Sequence, residues 1–221
     1  MKFTDERLTM QIAIPIFERL TALDAIGPYE VLQRLPGAEV VFVGLEKGSV
    51  RTENGFLGLT VDATLDEVPN PDIVVMPGGI GTRDMLGPNR FIDWLQRAHT
   101  TSMYTTSVCS GSLVLGAAGL LKGLTATSHW SCYEALAQFG AVPTAQRVVE
   151  HLDERIITSA GVSSGIDMAL RLSQLLFDDT AAKAMQVMIE YDPQPPFDAG
   201  SVSKAGPEVM ARAAEYSATK R

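Results

Sequence analysis

Met103-Tyr104-Thr105-Thr106-Ser107-Val108-Cys109-Ser110-Gly111 decides how the chain is read. Residues 103–108, Ser107 apart, are β-branched, aromatic or apolar and read as a strand. Ser110–Leu121 reads as a helix stopped by Lys122-Gly123. Cys109 therefore falls on the turn between a strand and the helix that follows. The spacing small-x-nucleophile-x-Gly, with Ser107 in the small position and Gly111 closing, is that of a nucleophile elbow. A tight turn of this kind lifts its central side chain above the end of the sheet. Backbone N–H groups at the helix start predict a lowered thiol pKa and a reactive thiolate. A buried cysteine can instead serve as a small core hydrophobe, but Ser107, Ser110 and Gly111 are poor core fillers.

The same alternation extends outward from this point. Met10–Phe17, Glu39–Leu45 and Asp72–Met76 are apolar, strand-like runs. Asp72–Met76 has no polar alternation, as expected of a strand buried on both faces of a parallel sheet. Helices are expected at Ala22–Leu35, Asn89–His99, 130–139 (ended by Gly140), Ser164–Phe177 and Thr180–Ile189. Residues 46–70 hold a hairpin with turn signals at Lys47-Gly48 and Asn54-Gly55. A short strand is expected at 124–128, and a second hairpin joins Arg147–Glu150 to Arg155–Ser159. Strands alternating with helices predict an α/β three-layer sandwich with a mostly parallel sheet. There is no repeat or linker, so one domain spanning 1–221 is expected, with a C-terminal extension from about 191. Asp192-Pro-Gln-Pro-Pro-Phe197 cannot be helical.

Composition narrows the function. The chain has 221 residues, 46% of them hydrophobic, and a net charge of −8. The acidity disfavours nucleic acid and anionic lipid as partners. The start of the chain is charged (Lys2, Asp5, Glu6, Arg7) and lacks the apolar core of a signal peptide. The longest apolar run, Leu113–Leu121, is too short to span a bilayer. With only two cysteines, Cys109 and Cys132, a soluble, reducing, cytoplasmic setting is expected. Cys132 sits within an amphipathic helix and reads as structural.

Other segments converge on the strand ends. Pro77-Gly78-Gly79-Ile80-Gly81 follows the run at 72–76, and its glycines permit close backbone approach and can aim N–H groups at developing charge. The segment is neither a phosphate loop nor a dinucleotide fingerprint; a plain turn is the alternative. Asp24 follows the first strand. It is either an acid that exchanges protons in the crevice or the N-cap of its helix. His129 is either near the site or a satisfied structural histidine. His99 and His151 read as exposed. No Cys/His/Asp/Glu spacing suggests a metal site.

Together these segments resemble the DJ-1/PfpI superfamily over about residues 10–190. The markers are Pro77-Gly78-Gly79 after a strand, Cys109 at the elbow, an acid in the first helix, and Ser159–Asp167 opening a long helix. Within the superfamily the likeness is to the isonitrile hydratase branch. It is carried by Asp24–Val31, Ser107–Gly111 and the tail Pro195-Pro196-Phe197-Asp198-x-Gly200. The resemblance implies a flavodoxin-like, class I glutamine amidotransferase-like fold and a homodimer. It also implies a small-molecule isonitrile substrate hydrated to a formamide, with no cofactor and no metal. Cys109, Asp24 and Ser110 would be catalytic. Gly78, Gly79, Ile80, His129, Trp130 and Ile166 would bind substrate or stabilise charge. Proteases of the superfamily carry histidine directly after the cysteine; here that position is Ser110, which disfavours proteolysis. Hydratase relatives carry threonine there, and serine keeps the hydroxyl. A cysteine redox sensor and amidase or glyoxalase-like chemistry are the alternatives on the same scaffold. The likeness extends through Ala126–Trp130 to the sensor half of AraC-type regulators, but no DNA-binding domain is expected here.

Overall fold

The strands at the middle of the sheet form where apolar runs let nearly every side chain be buried. Ile73–Met76 is buried at all four positions, and Met10–Pro15 at five of six. The structure is a computed structural model that describes residues 9–218. The charged segment weighed above as a possible leader lies, through Leu8, outside the described residues. In chain order the elements begin β1 (Met10–Pro15), α1 (Ala22–Leu32), β2 (Ala38–Gly44), β3 (Gly48–Arg51), β4 (Gly58–Val61), β5 (Ala63–Thr64), β6 (Ile73–Met76), α2 (Arg90–Thr101) and β7 (Tyr104–Val108). Next come α3 (Gly111–Ala117), β8 (Thr125–Ala126), α4 (Tyr133–Gln138), β9 (Val142–Pro143), β10 (Val148–His151), β11 (Ile156–Ser159), α5 (Ser164–Leu176), α6 (Asp179–Met188) and α7 (Val202–Ala218).

One seven-stranded sheet runs β10-β11-β7-β6-β1-β2-β5, parallel except for the edge strand β10. From β1 the chain moves through α1 to β2 in one direction; from β6 it moves through α2 to β7 in the other. Right-handed crossovers in opposite directions put α1 and α2 on opposite faces, which makes the three layers. α5 packs on α1, and α3 packs on α2. The reversal falls between β1 and β6, so the crevice beyond their C-terminal ends is the switch point where open α/β sheets bind ligands. The segments after β1, β6 and β7 meet there.

The chain divides into a compact unit that runs to Ile189 and a second that begins at Glu190. The second unit holds the extended 192–197 segment and then α7, kinked at Gly206. This helix was not anticipated from the sequence, because Gly206-Pro207 interrupts its pattern. Among the described residues no helix is long and apolar enough to cross a membrane.

Two helices differ from expectation. α3 ends at Ala117, not Leu121. Ala118 is the C-cap, Gly119 adopts φ 79°, Gly119 N–H donates to Gly116 O (2.8 Å), and Leu120 N–H donates to Leu115 O (3.0 Å). This is a Schellman stop, and the apolar residues beyond it fill the core without being helical. The expected 130–139 helix is a 3₁₀ turn at Trp130–Cys132 followed by α4. His99 and His151, expected to be exposed, lie on α2 and β10 and are half-buried. His99 Nδ1 bonds Thr105 Oγ1 (2.9 Å) and His151 Nε2 bonds the Thr125 carbonyl (2.7 Å).

Candidate active site

Cys109 has φ +57°, the left-handed region that side chains avoid, and it is held there from both sides. Its N–H donates to the carbonyls of Ala160 (2.9 Å) and Ser159 (3.1 Å). Its carbonyl accepts from the hydroxyls of Ser128 (3.0 Å) and Ser112 (3.1 Å). A β-carbon on Gly111 would lie 2.2 Å from the Met76 carbonyl, so only glycine lets α3 start this close to the end of β6. The elbow spacing thus reflects a real close approach.

Asp24 comes from the first turn of α1 and is fully buried. It is not the N-cap, which is Thr21. Its Oδ2 accepts the Gly78 N–H (2.9 Å), while Oδ1 has no hydrogen-bond partner among the described residues. Burial pushes its pKa up from 3.8 to about 7, against the Gly78 N–H and the Cys109 thiol, which favour the ionised form; the charge of Glu53 adds to the rise.

The thiol does not behave as the helix start suggested. Burial and then the Asp24 charge push its pKa far above the ordinary range. The N–H groups of Val162 and Ser110 face the sulfur and pull the other way. Desolvation outweighs them because Cys109 is only 5% exposed. Near neutrality, therefore, Cys109 is a thiol beside an acid whose pKa is close to the ambient pH.

Ser110 is buried and acts on the glycine turn. Its Oγ accepts the Gly79 N–H (2.9 Å) and donates to the Gly79 carbonyl (3.1 Å), with Thr82 Oγ1 at 3.3 Å. The N–H groups of Gly78 and Gly79 are therefore directed at Asp24 and Ser110. A β-carbon at Gly78 would meet Ser110 N, Ser110 Oγ and Asp24 Oδ2 at 2.6, 2.7 and 2.8 Å, so this glycine is the point where acid, turn and elbow converge. Gly79 has φ 131° and packs on the backbone of residues 19–21.

The remaining candidates spread around this cluster. His129 is half-buried, its Nδ1 bonded to Ser131 Oγ (2.7 Å). Burial and then the Arg83 charge lower its pKa, so it is a neutral, satisfied histidine. Its ring packs on Trp130 (centroids 5.1 Å apart) and against Gly161, in the loop whose Ala160 carbonyl accepts the Cys109 N–H. Trp130 and Ile80 are exposed. Ile166 packs on Gly27 of α1. Two residues at the site were not foreseen: Val162, which lies inside the Ser159–Asp167 marker without having been singled out, and Glu53, which no motif marks. Glu53 Oε1 accepts the Ile80 N–H (3.0 Å) from the β3–β4 turn. A neighbouring pocket of about 300 Å³, lined by Thr21, Ala22, Glu53 and Phe56 among others, contains none of the elbow residues.

A model of the DJ-1/PfpI family matches residues 10–175. An isonitrile hydratase of Pseudomonas putida is 38% identical over 96% of this chain and 91% of its own. A ThiJ/PfpI family protein of Pseudomonas syringae has a crystal structure that superposes with a TM-score of 0.89 at 40% identity, over 96% of this chain and 87% of its own. The transcriptional regulator GbdR of Pseudomonas aeruginosa is 29% identical over 71% of this chain but only 43% of its own length.

Proposed function

This chain belongs to the DJ-1/PfpI family, and from that premise we propose that it hydrates organic isonitriles to N-substituted formamides through Cys109. One observation carries the reading. A buried acid with pKa about 7 sits against the buried nucleophile and leaves one carboxyl oxygen without a hydrogen-bond partner among the described residues. The hydratase of Pseudomonas putida, similar along nearly the whole length, supplies the substrate class.

The chemistry follows from that pair. Above its pKa, Asp24 accepts the Cys109 proton as sulfur bonds to the terminal carbon of R–N≡C. It then delivers that proton to the same carbon, leaving the thioimidate R–N=CH–S–Cys109. A water molecule adds to this carbon while Asp24 takes its proton and passes it to nitrogen. The tetrahedral adduct collapses to R–NH–CHO and expels the sulfur, which regains a proton. The N–H groups of Val162 and Ser110 stabilise charge on sulfur in both directions. The buried Ser110 hydroxyl keeps the glycine turn, and with it the Asp24 carboxyl, in place. Trp130, Ile80 and Ile166 are proposed as walls for R. The proposal includes a homodimeric, cytoplasmic enzyme that works without cofactor or metal.

A thiol with a raised pKa is a poor peroxide sensor, because the thiolate is the form that oxidises. Rapid-quench intact mass during turnover tests the mechanism. The expected adduct on Cys109 weighs one whole isonitrile, and in heavy-oxygen water the formamide carries one label. A formamide without label would sink the scheme.

A further inference from the structure

We propose that Arg147 is a positioning residue for the nucleophile: it grips the 160–163 loop at both ends and so holds the Val162 N–H against the Cys109 sulfur. The inference rests on Cys109 being the nucleophile. Arg147 immediately precedes β10. Its carbonyl accepts the Ala160 N–H (2.9 Å), which fixes the start of the loop. Its side chain reaches Ser163 Oγ (3.2 Å) and pairs with the Asp167 carboxylate on α5, which fixes the end.

What the grip holds is a strained turn. Val162 has φ +24°, a backbone conformation that a β-branched residue adopts only when its surroundings impose it. The same loop supplies the Ala160 carbonyl that receives the Cys109 N–H, so one segment sets both the backbone and the sulfur environment of the nucleophile. The His129 ring packs against Gly161 in the same loop. The titratable groups that bear on the sulfur are Asp24 from α1 and Cys132 from the 130–132 turn. Arg147, half-exposed, is screened by solvent and acts through the loop and not by its own charge.

The test uses the full chain and iodoacetamide, with Cys109 labelling followed by peptide mass between pH 6 and 9. Losing the N–H···S contact is expected to reduce the thiolate population about tenfold. The more basic sulfur is more nucleophilic, so Arg147→Ala should label Cys109 about threefold more slowly. The pH at which labelling sets in should stay in place, since Asp24 sets it. A merely structural loosening would instead expose the buried sulfur and speed labelling, so an unchanged or faster rate overturns the proposal. If Arg147→Ala does not fold, Ser163→Ala and Asp167→Asn carry the same test, each with a smaller slowing. Labelling needs no isonitrile. A slowed variant alongside a wild type that makes no formamide would refute the hydratase reading and leave the positioning role standing.

Discussion

Asp24→Asn should stabilise the protein at pH 8 while removing its activity. Asp24 is fully buried and its pKa rises from 3.8 to about 7, chiefly because burial disfavours the carboxylate. The folded state thus binds this proton more tightly than the unfolded state. The stability linked to it is fully present below pH 4 and is lost as pH rises through about 7. At about 1.4 kcal/mol per pKa unit, the loss amounts to about 4 kcal/mol. Asparagine cannot ionise and keeps an oxygen for the Gly78 N–H, so it escapes the penalty. Urea unfolding of both proteins at pH 5 and pH 8, at one protein concentration, isolates the effect, because the titrations that the Asp24 charge does not touch are common to the two. The expected result is a variant more stable by about 1–2 kcal/mol at pH 5, the gap widening to about 4 kcal/mol at pH 8. Equal pH dependence in the two proteins, or a variant weaker at pH 8, would refute the account of Asp24.

In the wild type, kcat/KM should rise with pH along a limb centred near 7, because Asp24 must be ionised to accept the thiol proton; a rate that falls over this interval would contradict the assignment. Gly78→Ala pushes a methyl group to within 2.6–2.8 Å of Ser110 and Asp24, which should lower kcat about 100-fold and stability by about 1–3 kcal/mol, read by turnover and urea melts. Gly119→Ala meets no atom within 4 Å but must adopt φ +79°, so it should cost about 1 kcal/mol in a urea melt and leave kcat unchanged.

The sheet is legible in the sequence because its central strands are largely apolar or β-branched, β6 without a break, and the elbow because Gly111 and Ser107 answer to steric requirements that leave a spacing behind. Asp24 is only half legible. Its place after β1 suggests the crevice, but nothing in residues 21–30 reveals that Thr21 takes the cap and leaves the carboxyl buried. The state of the thiol is not legible at all. A helix start is visible in sequence, whereas the desolvation that overrides it depends on segments 24, 78, 110 and 162 closing together. Val162 and Glu53 act through backbone and charge from loops distant in the chain, so residue type carries no signal for them. α7 is hidden by Gly206-Pro207, which reads as a break although helix continues on both sides.

The most direct test of the central claim is formamide production from a simple aliphatic isonitrile by the purified protein and by Cys109→Ala. Turnover by the wild type and none by the variant is the predicted result. Formamide from both proteins, or from neither across several isonitriles, would contradict it.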